Sequence, residues 1–75
     1  MAKGYSSDFV NEVNSADDKK LGVRLGLVCI RRNIPVVDVA EFFDVSRTSV
    51  YAWFRGGNVD TKHTDKMQKL VDKLS

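Results

Sequence analysis

Residues that bind metals or form covalent cross-links are scarce in this sequence. Its 75 residues include one cysteine and one histidine, so no disulfide can form within the chain and a zinc site is not expected. Cys29 lies in an apolar stretch, which predicts a buried packing thiol. A lone thiol fits a reducing compartment, so we expect a cytoplasmic protein that holds no metal and no cofactor.

Long apolar runs and secretion signals are also lacking. A membrane-spanning helix takes about 20 apolar residues, and the longest apolar run here is far shorter. Residues 1–14 contain no apolar segment of the kind found in signal peptides. The sequence therefore predicts a protein without a membrane partner.

The combinations of side chains that enzymes use are missing as well. The sequence has no paired carboxylates in a pocket-like context, no serine–histidine–aspartate arrangement and no glycine-rich phosphate loop. His63 precedes Met67 by one helical turn, and we interpret it as a surface or helix-start residue rather than a catalyst. We therefore expect a protein that is not an enzyme and that takes no small-molecule ligand.

Charge of one sign is not abundant, but the charge is unevenly distributed. The net charge is +2, with 43% hydrophobic and 29% charged residues, a composition that suits one folded domain. Residues 1–18 carry one lysine against four carboxylates, whereas residues 19–55 carry seven lysines and arginines against three carboxylates. The positive charge thus lies in the middle of the chain, as expected if one face of the domain meets phosphates.

Residues 35–56, PVVDVAEFFDVSRTSVYAWFRG, predict two short helices joined by a tight turn. Asp44 and Val45 form the turn, and Ser46 is a favourable N-cap for the second helix. Apolar residues recur on one face of each helix, namely Val39, Ala40 and Phe43 in the first and Val50, Trp53 and Phe54 in the second. The opposite arc of the second helix carries Thr48, Tyr51, Ala52 and Arg55, with Arg47 at its edge.

This pattern is that of a helix-turn-helix, and it resembles the lambda-repressor-like family of phage repressors and Cro proteins. The matching residues are Val39-Ala40, Phe43, Val45-Ser46, Val50 and Trp53-Phe54-Arg55-Gly56. The resemblance spans about residues 21–74. It implies an all-α, compact five-helix lambda-repressor-like DNA-binding domain with an extra short N-terminal helix. We expect residues 1–75 to form this single domain, with 1–5 as a flexible tail.

The sequence departs from the family at three places. Asp44 stands where the family usually has glycine in the turn, and aspartate tolerates the left-handed conformation better than most residues. Val36 stands where a glutamine often holds a phosphate. Cys29 and Phe54 occupy positions that often form an ion pair, so an apolar pair is expected there instead.

The resemblance implies a sequence-specific transcriptional regulator of double-stranded DNA, closer to a short Cro-like form than to a full repressor. It would act in the cytoplasm of a bacterial or phage-infected host cell. The helix at about 47–55 would lie in the major groove, with Ser46, Arg47, Thr48, Tyr51, Ala52 and Arg55 as the DNA-binding residues. The alternative is a helix-turn-helix-fold module that binds a host or phage protein through an apolar patch.

The remaining chain predicts three further helices. The first runs from a cap at Ser6 or Ser7 to about Asn14, the second from Ser15 to about Arg32, and the last from Asp60 or Thr61 to about Leu74. Gly22 and Gly26, four residues apart, predict a close helix crossing. Asn33 is expected in the left-handed conformation that ends the second of these helices.

The first helix of the motif carries more apolar residues than its own buried face requires, so another part of the protein or a partner should pack on them. Val36, Val37 and Phe42 occupy positions that the family usually fills with polar residues. We favour cover by the N-terminal helix through Phe9, Val10 and Val13, although a partner protein is the other interpretation. We also expect a homodimer, at least on DNA, with contacts around Val71 and Leu74 or around Phe9 and Val10.

Overall fold

A computed structural model describes residues 5–75, which form five α-helices and no strand. The helices are α1 (Ser7–Ser15), α2 (Leu21–Arg32), α3 (Val36–Phe43), α4 (Arg47–Phe54) and α5 (Thr61–Leu74). The radius of gyration is 11.1 Å, close to the ~11 Å expected for a compact domain of this length. The prediction of a compact all-α domain with five helices is therefore confirmed. No helix in this part of the chain is long and apolar enough to cross a membrane.

Helix α1 is anchored more firmly at its start than the sequence predicts. Ser6 is the N-cap, and its hydroxyl accepts a hydrogen bond from the Phe9 amide at 3.2 Å. Tyr5, expected in a flexible tail, stacks on the Phe9 ring and donates its hydroxyl to the carbonyl of Ile34 at 2.6 Å. The prediction of a flexible tail was therefore wrong for Tyr5. The other residues of that predicted tail, Met1–Gly4, lie outside the described part of the chain.

Helix α2 begins six residues later than predicted, at Leu21 instead of Ser15. The Asp17 side chain accepts a hydrogen bond from the Lys19 amide, and the Asp17 carbonyl accepts one from the Lys20 amide. These bonds hold residues 17–20 in a turn, because a short acidic side chain competes for the amides that a helix would use. The predicted capping box does not form.

Two glycines let α2 approach α4 closely, as their spacing predicts. A Cβ atom at Gly22 would lie 2.6 Å from the carbonyl oxygen of Trp53, and one at Gly26 would lie 2.8 Å from the Phe54 ring. Neither distance is compatible with a side chain, so both positions need glycine for the observed packing. Helix α2 also contacts α1 and α5, which places it at the centre of the fold.

The turn between α3 and α4 has the geometry expected from its sequence. Asp44 adopts the left-handed conformation with φ 58° and ψ 49°, and the Val45 amide donates to the Ala40 carbonyl at 3.0 Å. Ser46 then caps α4 by accepting from the Ser49 amide at 3.2 Å. Asn33 ends α2 in the same left-handed conformation, with φ 61°. The expected aspartate-for-glycine turn is therefore confirmed.

The core lies between α2 and the back of α4 and is closed by α5. Met67 and Val71 of α5 are buried, whereas Leu70 and Leu74 are only partly covered. His63 lies in the first turn of α5, as one of the two predicted placements has it, but it is half-buried against the rings of Phe43 and Trp53. Cys29 is a buried free thiol, as predicted, and burial raises its pKa to about 11.

Candidate nucleic-acid interface

Helix α4 separates an apolar back from a polar front. Val50, Trp53 and Phe54 are at most 5% exposed, which fixes the rotation of the helix on the core. The front brings together the six residues predicted to bind DNA: Ser46, Arg47, Thr48, Ala52 and Arg55 are exposed, and Tyr51 is half-buried. The helix therefore presents a continuous polar surface rather than packing on all sides.

The charge of this front is wholly positive. No aspartate or glutamate occurs between Ser46 and Gly57, whereas Arg47 and Arg55 lie at the two ends of α4. Ser46 accepts from the Ser49 amide, and its oxygen also lies 3.2 Å from the Ser49 hydroxyl. A surface of guanidinium, hydroxyl and methyl groups without carboxylates suits base edges and phosphates, which offer acceptors and negative charge.

Helix α1 packs beside this front, which the sequence analysis did not predict. The Phe9 ring meets Tyr51 edge-to-face with centroids 5.1 Å apart and lies 6.3 Å from the Phe54 ring. Glu12 accepts a hydrogen bond from Nη1 of Arg55 at 3.4 Å, and the Arg55 guanidinium lies 5.7 Å from the centre of the Phe9 ring. Two of the predicted DNA-binding side chains are therefore positioned by α1.

One sequence signal for this contact was available. Tyr51 places an aromatic ring on an arc that is otherwise polar, and such a ring usually finds an apolar neighbour. Phe9 is the neighbour, although the sequence analysis assigned it to the apolar patch of α3. Phe9 is buried against α4, and that leaves Val37 and Phe42 exposed at 42% and 47%. The prediction that α1 covers these two residues was therefore wrong.

A cleft of about 500 Å³ lies where α1 and α4 meet. The residues that line it are Tyr5, Ser6, Phe9, Thr48, Tyr51 and Arg55. Burial raises the pKa of the Tyr5 hydroxyl, which stays protonated at neutral pH and donates to Ile34. The other polar groups of the cleft are hydroxyls and a guanidinium, and no carboxylate lines it.

A second, apolar groove of about 170 Å³ lies between α3 and α5. Its apolar lining comes from Cys29, Ile34, Val39, Phe42, Leu70 and Leu74. The Phe42 side of the groove is bordered by Lys66, whose ammonium donates to the Phe42 carbonyl at 2.7 Å and lies 4.4 Å from the centre of its ring. Val36, by contrast, is only 6% exposed and belongs to the core.

Within residues 5–75, no three histidine, cysteine, aspartate or glutamate side chains are grouped closely enough to hold a metal ion. The front of α4 and the cleft beside it are built from hydroxyl, guanidinium and aromatic groups. Comparisons of the chain with models of protein families, with curated protein sequences and with solved structures found no match.

Proposed function

We propose that the protein is a sequence-specific double-stranded DNA-binding regulator that places α4 in the major groove. The observation that carries this proposal is the front of α4, which is exposed, free of carboxylates and held on a buried apolar stripe. A helix about 10–12 Å across with its side chains fits the major groove, which is about 12 Å wide. Arg47, Thr48, Tyr51 and Arg55 then face bases or flanking phosphates.

The electrostatic support for DNA binding comes from the positive charge at α4 and not from the net charge of the whole chain. A net charge of +2 gives little general attraction to DNA. The two arginines of α4 concentrate that attraction on one face, and Ser46 and the amides of the first turn of α4 suit a phosphate beside Arg47. Val36 is buried and has no polar side-chain group, so we expect no side-chain contact with a phosphate at this position of α3.

Selection of bound sequences from random duplex DNA tests the proposal directly. We expect the protein to enrich a defined sequence and to lose affinity steeply as salt is added. Arg47→Ala should weaken binding to that sequence by about 1–3 kcal/mol if the guanidinium contacts a base. Arg24→Ala removes the same charge from an exposed position of α2 and serves as the control. A library that shows no enrichment would reject the proposed function.

The apolar groove supports a second candidate function. Phe42 and Val37 are the large apolar side chains that remain exposed in the described part of the chain, and Phe42 borders the groove. Exposed apolar side chains grouped in this way mark protein contacts. A protein-interaction module would bind its partner here and ignore DNA. Indifference to DNA together with a protein complex that Phe42→Ser abolishes would favour this function over the first.

A further inference from the structure

We infer that the cleft between α1 and α4 binds the sugar–phosphate backbone of the DNA that α4 reads. Helix α1 would then be part of the DNA interface rather than an addition to the outside of the fold. This inference rests on the proposed function, and it adds to it a binding site formed by two helices. Three residues of the cleft already belong to the proposed DNA-binding surface, namely Thr48 and Tyr51 of α4 and its C-cap Arg55.

The polar lining of the cleft consists of groups that can donate to an anion. Ser6 uses its oxygen to accept from the Phe9 amide at 3.2 Å, which leaves its hydroxyl proton to donate elsewhere. Thr48 and Tyr51 add hydroxyls, and Arg55 adds a guanidinium, whereas the cleft has no carboxylate to repel a phosphate. Hydroxyls and arginine are among the side-chain donors that contact phosphate oxygens in protein–DNA complexes.

The apolar lining suits the sugar of the same nucleotide. The Phe9 ring stands edge-to-face against Tyr51, so the two rings form one continuous aromatic wall. A volume of about 500 Å³ falls within the ~300–1,000 Å³ range of ligand sites, which leaves room for a phosphate together with its deoxyribose. The mixture of donors and apolar rings therefore matches a backbone segment better than it matches an isolated inorganic ion.

The salt bridge from Glu12 directs Arg55 without neutralising the cleft. The pair joins Nη1 to Oε1 at 3.4 Å, and the two side chains are 48% and 56% exposed. Such an exposed pair is weak and easily screened, so a phosphate can compete for the guanidinium. Glu12 itself does not line the cleft. It therefore orients Arg55 in the free protein, and a DNA phosphate can take its place.

Two adjacent serines give a matched test, made on the full chain with the selected DNA sequence. Ser6→Asp keeps a good N-cap residue but places a carboxylate in the cleft, whereas Ser7→Asp adds the same charge one residue outside the lining. We expect Ser6→Asp to lower DNA affinity at least about tenfold more than Ser7→Asp and to reduce the salt slope by about one. Ser6→Asn, which caps without charge, should bind nearly as the wild type does.

The outcomes separate this inference from the proposed function. A wild-type protein that binds no DNA overturns the proposed function and this inference with it. If the wild-type protein binds DNA and the two aspartate variants lose the same DNA affinity, the inference about the cleft is wrong and the proposed function stands. Amide chemical shifts of Ser6 and Tyr51 supply a third readout. If thymidine monophosphate shifts them and the duplex does not, the cleft is a free-nucleotide site and the inference fails.

Discussion

At the scale of single residues, two glycines decide how closely α4 lies on α2. Gly22 faces the backbone of Trp53, and Gly26 faces the Phe54 ring. The four-residue spacing of the glycines predicts a close crossing, but it does not identify the helix that crosses. A backbone carbonyl cannot move aside as a flexible side chain can, so Gly22 is the less replaceable of the two.

We expect Gly22→Ala to destabilise the protein although alanine is the better helix former. The added methyl group would lie 2.6 Å from the Trp53 carbonyl oxygen, and overpacking of this kind costs typically ~1–3 kcal/mol. The gain in helix propensity is at most about 1 kcal/mol and does not offset it. Urea denaturation measures the change, with Arg24→Ala on the exposed face of α2 as the control. An unchanged or higher midpoint for Gly22→Ala would contradict the observed packing.

Cys29 makes the stability of the fold sensitive to alkali. Burial raises its pKa from 9.0 to about 11, so the unfolded chain loses the thiol proton at lower pH than the folded chain. The contribution of the protonated Cys29 thiol to the free energy of unfolding is therefore fully present below pH 9, and it is lost as the pH rises towards 11. We expect the melting temperature to fall between pH 8.5 and 11 and to fall less in Cys29→Val. Parallel curves for the two proteins would show that the thiol does not contribute.

Some residue-level features follow from the sequence because they are local. Asn33 and Asp44 adopt the left-handed conformation, and Ser46 caps α4, since each depends on its own backbone and its immediate neighbours. The half-buried state of Tyr51 could not be predicted in the same way. It depends on Phe9, 42 positions earlier in the chain, and no periodicity within α4 reports that neighbour.

At the scale of helices, α1 contacts the front of α4 through one exposed ion pair, between Glu12 and Arg55. Glu12→Gln removes the carboxylate that binds Arg55 and leaves the Phe9 contact in place. We expect stronger DNA binding, because Arg55 no longer has to leave the Glu12 carboxylate before it contacts a phosphate. The salt dependence of the affinity should become steeper by up to about one, since a phosphate contact by Arg55 then adds fully to the slope. Gel-shift titrations at several salt concentrations measure both quantities.

The control for this prediction is Asp65→Asn on α5, which also removes one negative charge but lies in an exposed pair with Lys69. A general effect of net charge would strengthen DNA binding equally in the two variants. Circular dichroism should show both to be folded, because exposed ion pairs contribute only about 0–1 kcal/mol to stability. Weaker binding in Glu12→Gln would instead mean that the salt bridge holds Arg55 in its DNA-bound position.

At the scale of the whole molecule, the structure narrows the surfaces through which two copies could meet on DNA. Phe9 and Val71, two of the predicted contact residues, are buried within one chain, whereas Leu74 and Val10 remain half-buried. Phe42 and Leu74 lie along the same groove between α3 and α5. Leu74 is the one predicted contact residue that lines this groove, so we propose the groove as the apolar face that a second copy would use.

We expect two chains per DNA site and a roughly palindromic selected sequence. One reading helix spans only a few base pairs, and two copies double the discrimination against other sites. Analytical ultracentrifugation with the selected duplex gives the stoichiometry. Phe42→Ser should reduce pairing on the full site and leave binding to an isolated half-site unchanged, since Phe42 lies outside the α4 front. One chain per site, with no symmetry in the selected sequences, would contradict a homodimer.

The arrangement of the helices could be predicted from the sequence only in part. Turn residues and apolar spacing predict the five helices and the α3–α4 turn, because those signals lie within each segment. The docking of α1 was predicted wrongly, since its apolar face could cover either α3 or α4 and spacing alone does not choose between them. The contacts that place α1 against α4, from Phe9 to Tyr51 and from Glu12 to Arg55, join residues that are distant in sequence.

The central position of α2 has a consequence for how the protein opens. Helices α1, α4 and α5 all pack on it, and its backbone lies closest to α4 at Gly22 and Gly26. We therefore expect the amide protons of α2 to exchange with solvent only when several helices separate together, and those of α1 to exchange through a smaller, local release. Such a release would uncover Phe9 and free Tyr51 and Arg55 while the helix-turn-helix stays intact. We therefore expect the front of α4 to change shape repeatedly while the rest of the molecule stays folded.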